Sequence, residues 1–429
     1  MNKITIAASG VVLALVCGAS LFTDVVMAQT NGVKIVQPDK TYKMYWGNNK
    51  EGDKNFADPT QAPVISDIDV DQNFIYVGAD DRRVYKIDMN NDYTSDDEQK
   101  HFYDDPVSEP INEKAPDPVF GQSDSWIRAV EVSPQGGTMA TLSQNGELRI
   151  CDLQSGNFRT FIKTNESEDS MDFNPSGLKG THALVYSPDG NRIAITSNSR
   201  ERSKINIYDL TKTSNGKAIP ESTAEAPKGS RTALVFSHAG DKLAVGGIDG
   251  TVFVYDVSQK TPVRIGSAKF GGKAQRRVRA LAFSADDTLL AVGGDQGAIE
   301  VWNVVNPRRI TIVATLELPG ASIVESLKNN DGSGVFLTSD SSKPSASQQG
   351  GKVFALDFCQ TNNRLVSGDS LNRVIFWDVA AKKYLSIGNE HTGTVTCLKY
   401  LDKNPIDLSG APCVLSGSYD TTVRLWKFE

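Results

Sequence analysis

The sequence predicts an all-β chain in which seven similar sheets close into a ring, and three observations predict it. The first is the last stretch, residues 391–427. It holds a histidine, a strand of alternating apolar residues (Val395, Leu398, Tyr400), a second strand entering Ser416-Gly417-Ser418-Tyr419-Asp420, and a third ending in Trp426. Period-two alternation marks half-buried strands, and Tyr419-Asp420-Thr421-Thr422 between apolar runs marks a tight turn. One such unit cannot bury its own apolar face, so it requires copies of itself.

The second observation is recurrence. The inner-strand signature appears at 67–70, 129–132, 183–186, 233–236, 280–283, 355–358 and 397–400, seven copies in all. Each is followed by a polar turn, clearest at Ser187-Pro188-Asp189-Gly190, then a second strand, another turn and a third strand. The third strands end at Asp88, Asp152, Asp209, Asp256, Asn303, Asp378 and Lys427, which lie 64, 57, 47, 47, 75 and 49 residues apart. A four-stranded unit of this kind needs about 40–45 residues, so every interval holds one and the longer intervals carry inserts.

The third observation concerns closure. The seventh repeat reaches Glu429 on its third strand, and an open edge strand leaves unpaired backbone groups. The strand-like run in residues 41–47, TYKMYWG, is expected to fill that place, with Thr41 to Trp46 as the outer strand of the last unit.

These residues resemble the WD40-repeat family, and the resemblance covers roughly residues 41–429. It implies a seven-bladed WD40-type β-propeller closed by an N-terminal strand completing the last blade, in an exported, bacterial-type member. The motifs are sharpest in repeats four to seven. Repeats one to three depart from them, with Asp67 where others carry Ala or Cys and Cys151 where others carry an aromatic residue. The resemblance also implies a structural network of His391, Asp420, Ser416 or Ser418, and Trp426. As a catalytic His/Ser/Asp group it is outweighed by that structural role.

In chain order, residues 1–28 read as an export signal: Lys3, an apolar run from Ile4 to Val16, and the small-residue site Val26-Met27-Ala28. An uncleaved membrane anchor is the competing reading; Gly10, Gly18, Asp24 and the Val-x-Ala site favour cleavage. Cys17 invites a lipoprotein reading, which the bulky Val16 before it disfavours. The expected location is therefore the periplasm or another extracytoplasmic compartment, without stable membrane insertion. Residues 29–429 form the propeller, with inserts at 89–124, 153–180, 210–230 and 319–351. The first insert is acidic and the last is rich in Ser, Gly, Asn and Lys.

Net charge is −7, which argues against a nucleic-acid partner. From Asp88 to Asp117, ten acidic residues face Lys100 and Lys114, a net of −8, so one insert carries the imbalance. That insert also holds Phe102, Tyr103 and Phe120, which makes it a candidate docking element.

Four cysteines follow Cys17. Cys151 and Cys397 stand at apolar positions of the repeat, as buried thiols do; if any pair is oxidised, Cys359 with Cys413 is the best placed. There are four histidines, and no Gly-x-Ser-x-Gly, His-Glu-x-x-His, haem-attachment or phosphate-loop motif. Asp67, Asp69 and Asp71 share one side of a strand and raise calcium, but strand spacing of about 7 Å spreads them too far. Solvated or turn-capping aspartates are the expectation, with no cofactor and no metal.

Function must then lie on a surface. Partners of such propellers dock on the face made by the turns between second and third strands and by the segments entering the inner strands. Those segments carry Trp126, Arg128, Arg231, Arg276, Arg277 and Arg279, residue types enriched in binding hot spots. The expected function is a non-catalytic scaffold or accessory subunit of an extracytoplasmic multiprotein complex. The alternative is a propeller with a small ligand or metal in its channel, possibly an enzyme.

Overall fold

The computed structural model describes residues 34–43, 64–72, 74–80, 82–90, 126–144, 146–162, 183–198, 203–212, 221–227, 233–272, 276–295, 297–319, 351–360, 364–404 and 411–427. They form seven sheets in a ring. The inner strands are Ile65–Asp71, Ile127–Val132, Leu184–Tyr186, Ala233–Phe236, Val278–Phe283, Val353–Phe358 and Val395–Leu401. Each lies against the next, and the seventh returns to the first. All seven third strands end at the residues the repeat predicts, from Asp88 to Lys427. Blade 1 contributes three described strands and the other blades at least four.

Two of the spans read as inserts contain blade strands. Phe158–Ile162 is the outer strand of blade 2, and Ser222–Glu225 is the outer strand of blade 3. A three-stranded blade exposes its third strand's backbone, so the chain spends part of each span covering it.

Neighbouring blades approach closely where a second-strand glycine removes a side chain. A Cβ on Gly246 would lie 2.4 Å from Val278 Cγ1 of the next inner strand. Gly293 against Val353 and Gly368 against Val395 repeat the arrangement at 2.6 and 2.5 Å. The valine knob fills the space the glycine leaves, so each interface is packed to interior density.

The ring closes at its N-terminal end, as the sequence predicts, but three residues earlier. The outer strand of blade 7 is Pro38–Lys43, antiparallel to Thr422–Lys427, with Tyr42 opposite Val423 and Thr41 opposite Arg424. Residues 44–46 of the expected strand lie outside the described residues. Tyr42 explains the register: it is 2 % exposed in the core shared by blades 7 and 1, beside Ile65, Val77, Leu415 and Leu425. Its hydroxyl donates to the Met89 carbonyl at 3.4 Å. The same segment makes a second contact, since Lys34–Val36 runs parallel to Lys383–Gly388 as a fifth strand of blade 6.

Among the described residues no two cysteines are joined by a disulfide. Cys151, Cys359, Cys397 and Cys413 are all buried, and Cys359 donates to the Tyr400 hydroxyl at 2.8 Å instead of pairing with Cys413. Cys413 stands opposite Leu401 and Cys397 opposite Gly417, so no pair meets within blade 7.

Candidate docking face and central channel

The predicted network exists in blade 7. Trp426 Nε1 donates to Ser416 Oγ at 2.7 Å, and Ser416 Oγ lies 2.7 Å from His391 Nε2. His391 Nδ1 lies 2.8 Å from Asp420 Oδ2. One tautomer satisfies every group: Nδ1–H donates to Asp420, and Nε2 accepts from Ser416. Ser416 is thus the network serine, while Ser418 donates to the Gly393 carbonyl at 2.9 Å. Burial holds the imidazole below its usual pKa, against the pull of Asp420. Burial pushes Asp420 upward, but hydrogen bonds from His391, Thr422 and the Thr392 N–H outweigh it and leave the carboxyl well below its usual range. Blade 6 keeps the anchoring step alone, with Trp377 donating to Ser367 Oγ at 2.8 Å, whereas in blade 5 Trp302 donates to Glu300 Oε2 of its own strand at 2.8 Å. A network this enclosed is rigid and closed to substrate.

On the face where the inner strands begin, Trp126 is 45 % exposed and Tyr419, in the blade 7 turn, is 51 % exposed. Arg128 stacks under the Trp126 ring at 4.8 Å and donates from Nη2 to Gln144 Oε1 at 2.7 Å. Tyr419 and Asp80 lie close enough to act on its charge. This face therefore joins blades 7, 1 and 2 through an aromatic and cationic group. Arg279 behaves differently. It pairs with Asp295 at 2.5 Å and stacks on Phe354 at 4.5 Å, so its charge is spent between blades 5 and 6. Arg276 and Arg277 are half-buried, and the Arg277 carbonyl accepts from the Asp295 N–H. Arg231 lies outside the described residues. Tyr419 and the exposed Ile248 were not singled out as docking residues, although both occupy turns between second and third strands.

Of the three alternating aspartates of blade 1, Asp67 and Asp69 are neither solvated nor turn caps. Asp67 Oδ2 accepts from the Val130 N–H at 3.0 Å and Asp69 Oδ2 from the Val132 N–H at 2.7 Å, both in blade 2. Asp357 does the same for Tyr400 of blade 7 at 2.8 Å. An inner strand has one hydrogen-bonding edge unpaired within its blade, and the preceding blade's carboxylate satisfies it. Lys399 of blade 7 completes the arc, with Nζ 2.6 Å from Asp69 Oδ1. Among the described residues no group of three or more His, Cys, Asp or Glu side chains is arranged to hold a metal ion. Nor is any helix among them long and apolar enough to cross a membrane.

Seven blades in a ring, with this network in the last, define a β-propeller that carries WD40-type repeat structure. Residues 382–427, the outer strand of blade 6 and the inner three strands of blade 7, match the family model described as WD domain, G-beta repeat. Residues 203–343, from the third strand of blade 3 through blade 5, match the model of the Vps8 beta-propeller. No curated protein matches the chain.

Proposed function

We propose that this chain is a non-catalytic scaffold or accessory subunit of an extracytoplasmic multiprotein complex, docking its partner on the face around Trp126. The observation that carries the reading is the exposed Trp126, stacked on Arg128 beside the exposed Tyr419. Two large aromatic residues and an arginine on a rigid rim are what a binding hot spot requires. WD40 propellers generally bind proteins, which supports the class of function. Residues 1–28 act as the export signal, and the acidic insert at 89–124 is a second docking element.

Purification of the mature chain from its own host, with cross-linking and mass spectrometry, tests this. A stoichiometric protein partner cross-linked near Trp126 or the 89–124 insert supports the proposal. A lone monomer with a bound small molecule would favour the channel-ligand alternative.

A further inference from the structure

The inner strands carry an asymmetric set of charges. At the third place of the repeated signature stand Asp69, Glu131, Val185, Val235, Ala282, Asp357 and Lys399 in blades 1 to 7. Blades 3, 4 and 5 therefore line the channel with apolar side chains, while blades 6, 7, 1 and 2 bring charges together. Asp67 adds a fourth carboxyl group two residues from Asp69. Among the described residues, four carboxyl groups thus lie close enough to interact with the ammonium group of Lys399.

Contact geometry makes this arc part of the ring's closure. Lys399 bridges blade 7 to Asp69 of blade 1, and Asp67 and Asp69 bind the backbone of blade 2. Asp357 binds blade 7. Thr396 Oγ1 donates across the same seam to the Ile65 carbonyl at 2.9 Å. At the channel end beyond Asp357, His238 Nε2 lies 3.0 Å from Gln360 Nε2, and His238 Nδ1 lies 3.1 Å from Asp287 Oδ1. Lys399 keeps 38 % of its side-chain surface open, so water reaches this enclosed site and exchanges protons with it.

We propose that this arc is a pH-sensitive seam: protons held by Asp67 and by Glu131 reduce the negative charge around Lys399, and their loss loosens blades 6, 7, 1 and 2 relative to blades 3 to 5. Burial, and then the Asp69 charge, push Asp67 up to about 7 against the hydrogen bonds from Val130 and Ile68. The same two causes, burial first, push Glu131 well above the usual carboxyl range, and Lys399 only partly offsets them. Burial raises Asp357 as well. The attraction of Asp69 and Glu131 exceeds the effect of burial on Lys399 and keeps it protonated.

The direction of the effect follows from linkage. An unfolded Asp ionises near pH 4, at about 3.9, whereas folded Asp67 holds its proton to about 7. The folded chain therefore binds more protons across this window, and stability falls as pH rises through it. Above the folded pKa the loss is complete.

The test compares thermal unfolding of the mature chain with that of Asp67→Asn and Glu131→Gln at about pH 4 and about pH 8, near the start of the Asp67 window and beyond its end. Neutral isosteres mimic the protonated state, so both variants should match wild type at the lower pH and melt several degrees higher at the upper one. Protonation of His391 affects all three chains alike and cancels in the difference. If Asp67→Asn fails to fold, Glu131→Gln alone decides. Hydrogen exchange locates the effect. After correction for intrinsic rates, strands 65–71, 127–132 and 395–401 should lose protection in wild type at the upper pH while 233–236 and 278–283 keep theirs. An equal shift in melting temperature at both pH values, or uniform loss of protection around the ring, would overturn the proposal.

Discussion

Lys399 Nζ lies 2.6 Å from Asp69 Oδ1, joining the last blade to the first at the channel. The same junction is closed at the rim by Pro38–Lys43 on the edge of blade 7. A ring is as stable as its least secured junction, and this one has no continuous chain between its inner strands. The sequence therefore secures it twice, with a charge pair inside and a strand outside, around the apolar core of Tyr42, Ile65 and Leu425.

Removal of residues 29–47 from the mature chain should cost several kcal/mol, because it opens the edge of Thr422–Lys427 and uncovers the core under Tyr42. Urea unfolding reads this directly. An unchanged midpoint would contradict closure by the N-terminal segment.

His391→Ala should lower stability by about 2–3 kcal/mol, since it leaves the buried Ser416 and Asp420 without their shared partner. The wild-type network also carries a pH signature. Folded His391 has a lowered pKa, so its contribution is complete above the unfolded value of about 6.5 and is lost as pH falls below it. Asp420, also lowered, adds a loss at more acidic pH. The His391 part of the slope should vanish in the variant.

Gly246→Ala should destabilise by about 1–3 kcal/mol through overpacking against Val278. Val278→Ala in the same chain should recover part of that loss. A Gly246→Ala chain as stable as wild type would show that the blades separate more readily than their packing implies.

The four described cysteines should all titrate as thiols, and only after denaturation. Burial pushes Cys151 and Cys413 up to about 12 and raises Cys397 as well, so none of these three offers a thiolate near neutrality. A mass two hydrogens lower in the non-reduced native chain would reveal a disulfide and contradict the geometry.

Most of the fold was legible because the repeat is written in strand ends and turn residues. Asp209, Asp256 and Asp378 close their strands where the spacing places them. The network was legible for the same reason, since His391, Ser416, Asp420 and Trp426 hold fixed places in one unit. Closure was read three residues late: alternation located Tyr42 in a strand, while its burial against blade 1 set the register. The channel arc was not legible. Asp69, Glu131, Asp357 and Lys399 occupy equivalent places in four repeats up to 330 residues apart, and period-two patterning reports a face without showing that charges converge across a ring. Arg279 misled for a related reason, because its partners Asp295 and Phe354 come from a turn and from the next blade.

The proposed docking places a protein on the face around the exposed Trp126 and Tyr419. The most direct measurement is quantitative copurification and cross-linking from the native host, comparing wild type with Trp126→Ala/Tyr419→Ala. Both residues are exposed, so the variant should fold and melt as wild type does, yet lose at least about tenfold of its captured partner, as removal of a hot spot does. Equal recovery of the same partner by a normally folded variant would contradict the assignment of this face.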